Sequence, residues 1–146
     1  MSSLRLMVVM LATVAAITLV GGNAWAVGEC RAQSPGVPGP SYVYFEVGST
    51  KLDAKAKQDV KEVADRVKAM YIRTVCLLGS ADKQGNEKSN FKLSVKRAEA
   101  IAAALEKEGV DAKYITIVGK GETYGDWLKV FEDNQQDRSV KITLTK

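Results

Sequence analysis

The strongest constraint on this chain is a change of apolar period that repeats along residues 43–144. Val43, Phe45 and Val47 alternate with Tyr42, Tyr44 and Glu46, the period of two that a half-buried strand requires. Ala56, Val60, Val63, Ala64, Val67 and Met70 then recur mostly three and four apart. Lys55, Lys57, Lys61, Glu62 and Lys68 take the water-facing positions between them. This is a helix, with Asp53 placed to cap its start. Thr74-Val75-Cys76-Leu77-Leu78 is a short continuous apolar run, as a central strand requires. A second helix is predicted from about Glu87 to Glu108, closed by Gly109, with Ala98, Ile101, Ala102 and Leu105 on one stripe. Ile115 and Ile117 alternate with Tyr114, Thr116 and Val118 in a third strand. Val140, Ile142 and Leu144 alternate with Lys141, Thr143 and Thr145 in a fourth, after a polar stretch from Thr123 to Asp137. The order β-α-β-α-β-loop-β implies an α/β sandwich with crossover connections.

The chain before this pattern reads differently. Arg5 precedes an apolar run from Leu6 to Val20, Gly21-Gly22 breaks it, and Ala24-Trp25-Ala26 supplies the small residues of a cleavage site. A membrane span needs roughly 20 apolar residues and a basic far flank, and here the flank is Val27-Gly28-Glu29. Residues 1–26 are therefore expected to be a cleavable export signal, leaving no transmembrane span in the mature chain. Glu29 stands where a lipid-attachment motif before Cys30 needs a small residue, so export without a lipid is expected. Residues 27–40 end in Pro35-Gly36-Val37-Pro38-Gly39-Pro40, which holds all 3 prolines. Neither a helix nor a ladder suits that composition, so it reads as a flexible arm before a domain at 41–146.

Composition excludes several chemistries. The 146 residues contain 0 histidines, so no histidine base, histidine-dependent nucleophile or histidine-ligated metal exists here. The 2 cysteines cannot make an all-thiolate zinc site, and no cofactor or metal is expected. In an oxidising compartment Cys30 and Cys76 suit a disulfide; the other reading is a buried free thiol at Cys76 and a loose Cys30. Lysine and arginine number 21 against 17 acids, a net charge of +4, but the cations are interleaved with acids. That pattern is a solvated surface and no nucleic-acid footprint.

One stripe breaks its own rule. Asn90, Ser94, Arg97 and Ile101 are spaced four, three and four apart and share the helix face that is apolar from Ala98 onward. Polar groups on a core-facing stripe are costly unless paired or lining a pocket. Upstream, the strand at Thr74–Leu78 empties into Gly79-Ser80-Ala81-Asp82-Lys83-Gln84-Gly85, read as a loop, which puts Asp82 where α/β folds commonly bind ligands. Asp82 and Arg97 together would take an ammonium and a carboxylate, the two charges of an amino-acid head group. The alternative is a plain Asp82–Arg97 ion pair.

These residues resemble a known pattern. Gly79-Ser80-Ala81-Asp82-Lys83-Gln84-Gly85, Asn90 and Leu93-Ser94-Val95-Lys96-Arg97-Ala98 are similar to the Gly-(His/Tyr)-Thr-Asp-x-x-Gly, Asn and Leu-Ser-x-x-Arg-Ala of OmpA-like peptidoglycan-binding domains. Gly119-Lys120-Gly121-Glu122 and Asp137-Arg138-Ser139-Val140 resemble that family's Gly-x-Gly-Glu and Asn-Arg-Arg-Val, and Phe45-Glu46-Val47-Gly48-Ser49 with Leu52 its opening strand and turn. The resemblance implies a two-layer fold, a mixed sheet with helices packed on one side. It implies a non-catalytic periplasmic module, associated with the cell wall or outer membrane, that binds peptidoglycan through diaminopimelate of the stem peptide. Asp82 would take an ammonium, Arg97 a carboxylate, Asn90, Leu93 and Ser94 would shape the pocket, and Arg138 would add positive charge. An outer-membrane or envelope-complex protein is a further expected partner.

Ser80, Ala81 and Ser139 depart from the pattern, which motivates a second expectation: a degenerate domain serving protein–protein contact in an envelope complex. An acid-based hydrolase ranks below both, because nothing in the spacing orders Glu122, Asp126, Glu132 and Asp133 into a pair. Gly119-x-Gly121 reads as a turn, Gly85 as relief for a positive φ, and Trp127 with Phe131 as core cover.

Overall fold

Both α-helices of the described residues begin at a side-chain cap. In a computed structural model that describes residues 26–27, 30, 33–82, 86–122 and 135–146, Asp53 accepts the Ala56 N–H at 2.7 Å to open α1 (Ala54–Ala69). Asn86 accepts the Ser89 N–H at 2.8 Å to open α2 (Glu87–Lys107). Each satisfies a donor that the first turn would leave orphaned. Gly109, with φ of 91°, ends α2, and the Val110 N–H reaches back to the Leu105 carbonyl at 3.0 Å. The buried stripe of α1 is Ala56, Val60, Val63, Ala64 and Val67.

Among the described residues five strands form one mixed sheet: β1 (Ala26–Val27), β2 (Ser41–Tyr44), β3 (Thr74–Ala81), β4 (Ile115–Glu122) and β5 (Ser139–Thr145), in the order β1-β4-β3-β5-β2. Central β3 runs parallel to β4 and antiparallel to β5, and β2 closes the far edge antiparallel to β5. Val75, Leu77, Ile115, Ile117, Ile142 and Leu144 join the α1 stripe and Ala98, Ile101, Ala102 and Leu105 of α2 in one core. The fold is thus a two-layer α/β sandwich.

Cys76 alternates with Val75 and Leu77 and faces away from that core. There it is bonded to Cys30, with the two Cα atoms 5.4 Å apart. The described residues between 26 and 40 are placed from one edge of the sheet to the other. Ala26 and Val27 pair with Thr116 and Ile117 at one edge, Cys30 meets β3, and Ser34 Oγ accepts the Lys146 N–H at 3.2 Å beyond β5. Val37 is buried in the core just before β2 begins at the other edge.

Four local expectations need correction. Val27, expected in an arm unsuited to any ladder, is in β1 and pairs with Ile117 of β4. Val47 is 52% exposed and outside the strand, because β2 stops at Tyr44 and Gly48, with φ of 64°, turns the chain. Gly79, Ser80 and Ala81 continue β3 instead of forming a loop, and Gly119-Lys120-Gly121-Glu122 lies within β4 instead of a turn. A close approach accounts for both glycines. Gly79 and Gly119 are register partners, and a Cβ on Gly79 would fall on the Ser94 carbonyl while one on Gly119 would strike Val95 Cγ2. The bare backbone of this pair is the seat on which α2 rests. Gly85, Trp127 and Phe131 lie outside the described residues.

Gly79→Ala is therefore expected to lose about 3 kcal/mol or more in urea unfolding, because the obstacle is backbone and cannot rotate away. Replacing Cys30 and Cys76 together by alanine opens a cross-link over a sequence separation of 46. The expected loss is about 2–4 kcal/mol by the same measurement, and added reductant should then leave the variant's midpoint unchanged.

Candidate ligand-binding site

Seating α2 on the glycine pair drives its polar first turns against the sheet. Asn90, Ser94 and Arg97 are buried, and among the described residues Arg97 is the largest side chain with essentially no exposure. Ser94 spends its hydroxyl locally, donating to the Phe91 carbonyl at 2.7 Å. Leu93 is half-buried at the side of the same helix.

A guanidinium has five N–H donors and no acceptor. Arg97 gives three of them to main-chain carbonyls, each at 3.0 Å: Nε to Ser49, Nη1 to Ser80 and Nη2 to Glu46. Its Cζ also lies 5.4 Å from the centre of the Phe45 ring. Burial pulls the guanidinium below the ordinary arginine value; the nearby Asp82 charge opposes that shift and Arg138 adds to it.

Asp82 follows the last residue of β3 and is only 6% exposed. Its ion-pair partner is Arg138, whose Nη1 stands 3.4 Å from Asp82 Oδ2. Arg138 also donates from Nε to the Phe45 carbonyl at 3.3 Å, and its own carbonyl accepts the Phe45 N–H at 2.8 Å. The structure thus brings Asp82, Arg97 and Arg138 to one end of the sheet. Asp82 is bonded to Arg138, and no direct Asp82–Arg97 ion pair is among the described contacts.

The main-chain acceptors of the turn at 45–49 are the part that reading side chains missed. Its Phe45, Glu46 and Ser49 carbonyls hold both arginines, and Ser49 N–H closes the turn on Glu46 at 3.1 Å. Backbone acceptors leave no residue-type signal; Gly48 was the one local clue to the bend. Lys83, Gln84, Asp126, Glu132 and Asp133 lie outside the described residues, as does the side chain of Glu122. Among the described residues no cluster of metal-ligating side chains occurs, and no helix is long and apolar enough to cross a membrane.

The chemistry of the cluster is that of a charge receptor. Two guanidiniums face one carboxylate, so the described groups carry an excess of positive charge with little water to screen it. A carboxylate ligand would balance it, and Asp82 could accept an ammonium.

The site falls inside a recognised sequence family, since the OmpA family matches residues 44–139. The chain belongs to the OmpA family. Outer membrane protein 40 of Porphyromonas gingivalis is 37% identical over 105 residues, 71% of this chain and 26% of that protein. The chain spans 26% of that relative's length and 53% of that of outer membrane protein A of Bordetella avium. The OmpA-like domain of FopA1 from Francisella tularensis superposes with a TM-score of 0.61 at 26% identity, covering 72% of this chain and 73% of that one. The peptidoglycan-associated lipoprotein of Burkholderia pseudomallei shares the fold with a TM-score of 0.63 at 24% identity, over 70% of this chain and 88% of its own.

Arg97→Lys is expected to lose about 2 kcal/mol or more in urea unfolding, because one ammonium cannot serve three carbonyls on separate segments. Arg97→Ala should lose more, leaving those carbonyls without their donor.

Proposed function

We propose that this OmpA-family chain is a non-catalytic binder of peptidoglycan in the periplasm, delivered by the leader read in residues 1–26. The ligand group is the diaminopimelate of the stem peptide, whose free end carries an ammonium and a carboxylate. The observation that carries this reading is the convergence of buried Asp82 with Arg97 and Arg138 at the C-terminal end of the central strand. Asp82 receives the ammonium and the guanidinium side receives the carboxylate, while Asn90, Leu93 and Ser94 bound the cleft. The naming of one fold neighbour as a peptidoglycan-associated lipoprotein supports the same class of ligand. Holding the wall while the rest of an envelope assembly holds the chain links the two, with no bond made or broken.

The internal bonding of the cluster favours one second reading. Arg97 is committed to carbonyls and Asp82 to Arg138, as in a domain kept for contact with an envelope protein. Co-sedimentation with purified sacculi separates the two. The wild-type chain should pellet with sacculi, and Asp82→Asn should reduce the bound fraction by about tenfold while keeping the fold. Equal pelleting of both proteins would overturn the site, and no pelleting of either would favour the second reading.

A further inference from the structure

The Asp82–Arg138 contact bears on which ligands the site can admit. Both side chains are about nine-tenths buried, at 7% and 11% exposure, so neither charge is well screened by water. Their separation of 3.4 Å exceeds the roughly 2.7–2.9 Å usual for a charge-assisted bond. The pair is close enough to neutralise Asp82 and loose enough to be exchanged. Arg138 is also held from behind, through its Nε to the Phe45 carbonyl and its own carbonyl to the Phe45 N–H. Its fork can leave Asp82 without leaving the site. Arg97 differs, because three carbonyls on two segments fix its guanidinium.

We infer that Arg138 is the specificity-determining residue of this site, a built-in competitor that a ligand's ammonium must displace from Asp82. This rests on the wall-ligand reading above. An amine without a carboxylate takes Asp82 and costs Arg138 this ion pair while Arg97 stays nearby, which is unfavourable. A ligand that brings both charges pairs with Asp82 and re-pairs Arg138 in the same event. Selection for a zwitterionic head group over a plain amine then comes from a repulsive element against the wrong ligand as much as from attraction to the right one.

Calorimetry on the full chain with meso-diaminopimelate and with cadaverine, the same carbon chain and amines without the carboxylates, tests this. The wild type should bind diaminopimelate at least about tenfold more tightly than cadaverine. Arg138→Gln should bring the two affinities within about threefold of each other, with cadaverine binding more tightly than in the wild type because its competitor is gone. Arg138→Lys, which keeps the charge and loses the fork, should fall between them, and it carries the test if Arg138→Gln does not fold. An unchanged preference in the folded variants, or an equal weakening of both probes, overturns the role of Arg138 while leaving the site standing. Undiminished binding by Asp82→Asn, or no binding of either probe by the wild type, overturns the wall-ligand reading and this inference with it.

Discussion

A guanidinium shut away from water has to find acceptors, and in this chain Arg97 finds them on segments far apart in sequence. The Glu46 and Ser49 carbonyls come from the turn after β2, and the Ser80 carbonyl from the end of β3. Breaking any of these bonds would leave a buried polar group unpaired, so the three elements are obliged to keep one arrangement. The same arrangement sets where Asp82 stands, two residues beyond Ser80, and where Phe45 presents its main chain to Arg138. The site is thus a consequence of how one buried cation is satisfied.

That cation reaches its acceptors only because α2 lies unusually close to the sheet. Gly79 and Gly119, side by side in β3 and β4, remove the side chains that would hold the helix away. The apolar half of α2 then packs through Ala98, Ile101, Ala102 and Leu105, and its polar half is carried into the same interface. Burial of that polar half costs free energy unless its groups are bonded. Ser94 meets this with the Phe91 carbonyl and Arg97 with three others. The Cys30–Cys76 bond on the opposite face of the sheet and the β1–β4 pairing at its edge tie down the chain that leads into β2.

Much of this was legible in the residues. The α1 stripe of Ala56, Val60, Val63, Ala64 and Val67 is buried as its spacing required, and Asp53 caps that helix. Gly109 ends α2 in a left-handed conformation, and the alternation in β5 puts Val140, Ile142 and Leu144 inside. Local reading erred where a distant contact decided the outcome. Gly79 and Gly119 have the composition of turns, yet they lie in strands because a helix needs their bare surface. Val47 continues an alternating pattern, yet the strand has already ended, since both arginines draw the carbonyls of residues 45–49 into a bend.

Sequence alone determined the order of elements from β2 onward, most of their buried faces and the presence of an unexplained polar stripe on a core-facing helix, because each follows from spacing along one segment. By resemblance it also placed Asp82, Arg97 and Arg138 in motifs like those of OmpA-like domains. Only the tertiary structure decided who pairs with whom. Asp82 bonds to Arg138, and Arg97 to main-chain oxygens, because charges are matched by distance in space and by which acceptors burial leaves within reach. Backbone carbonyls are the same in every residue, so a partner of that kind becomes visible only once the chain has folded around it.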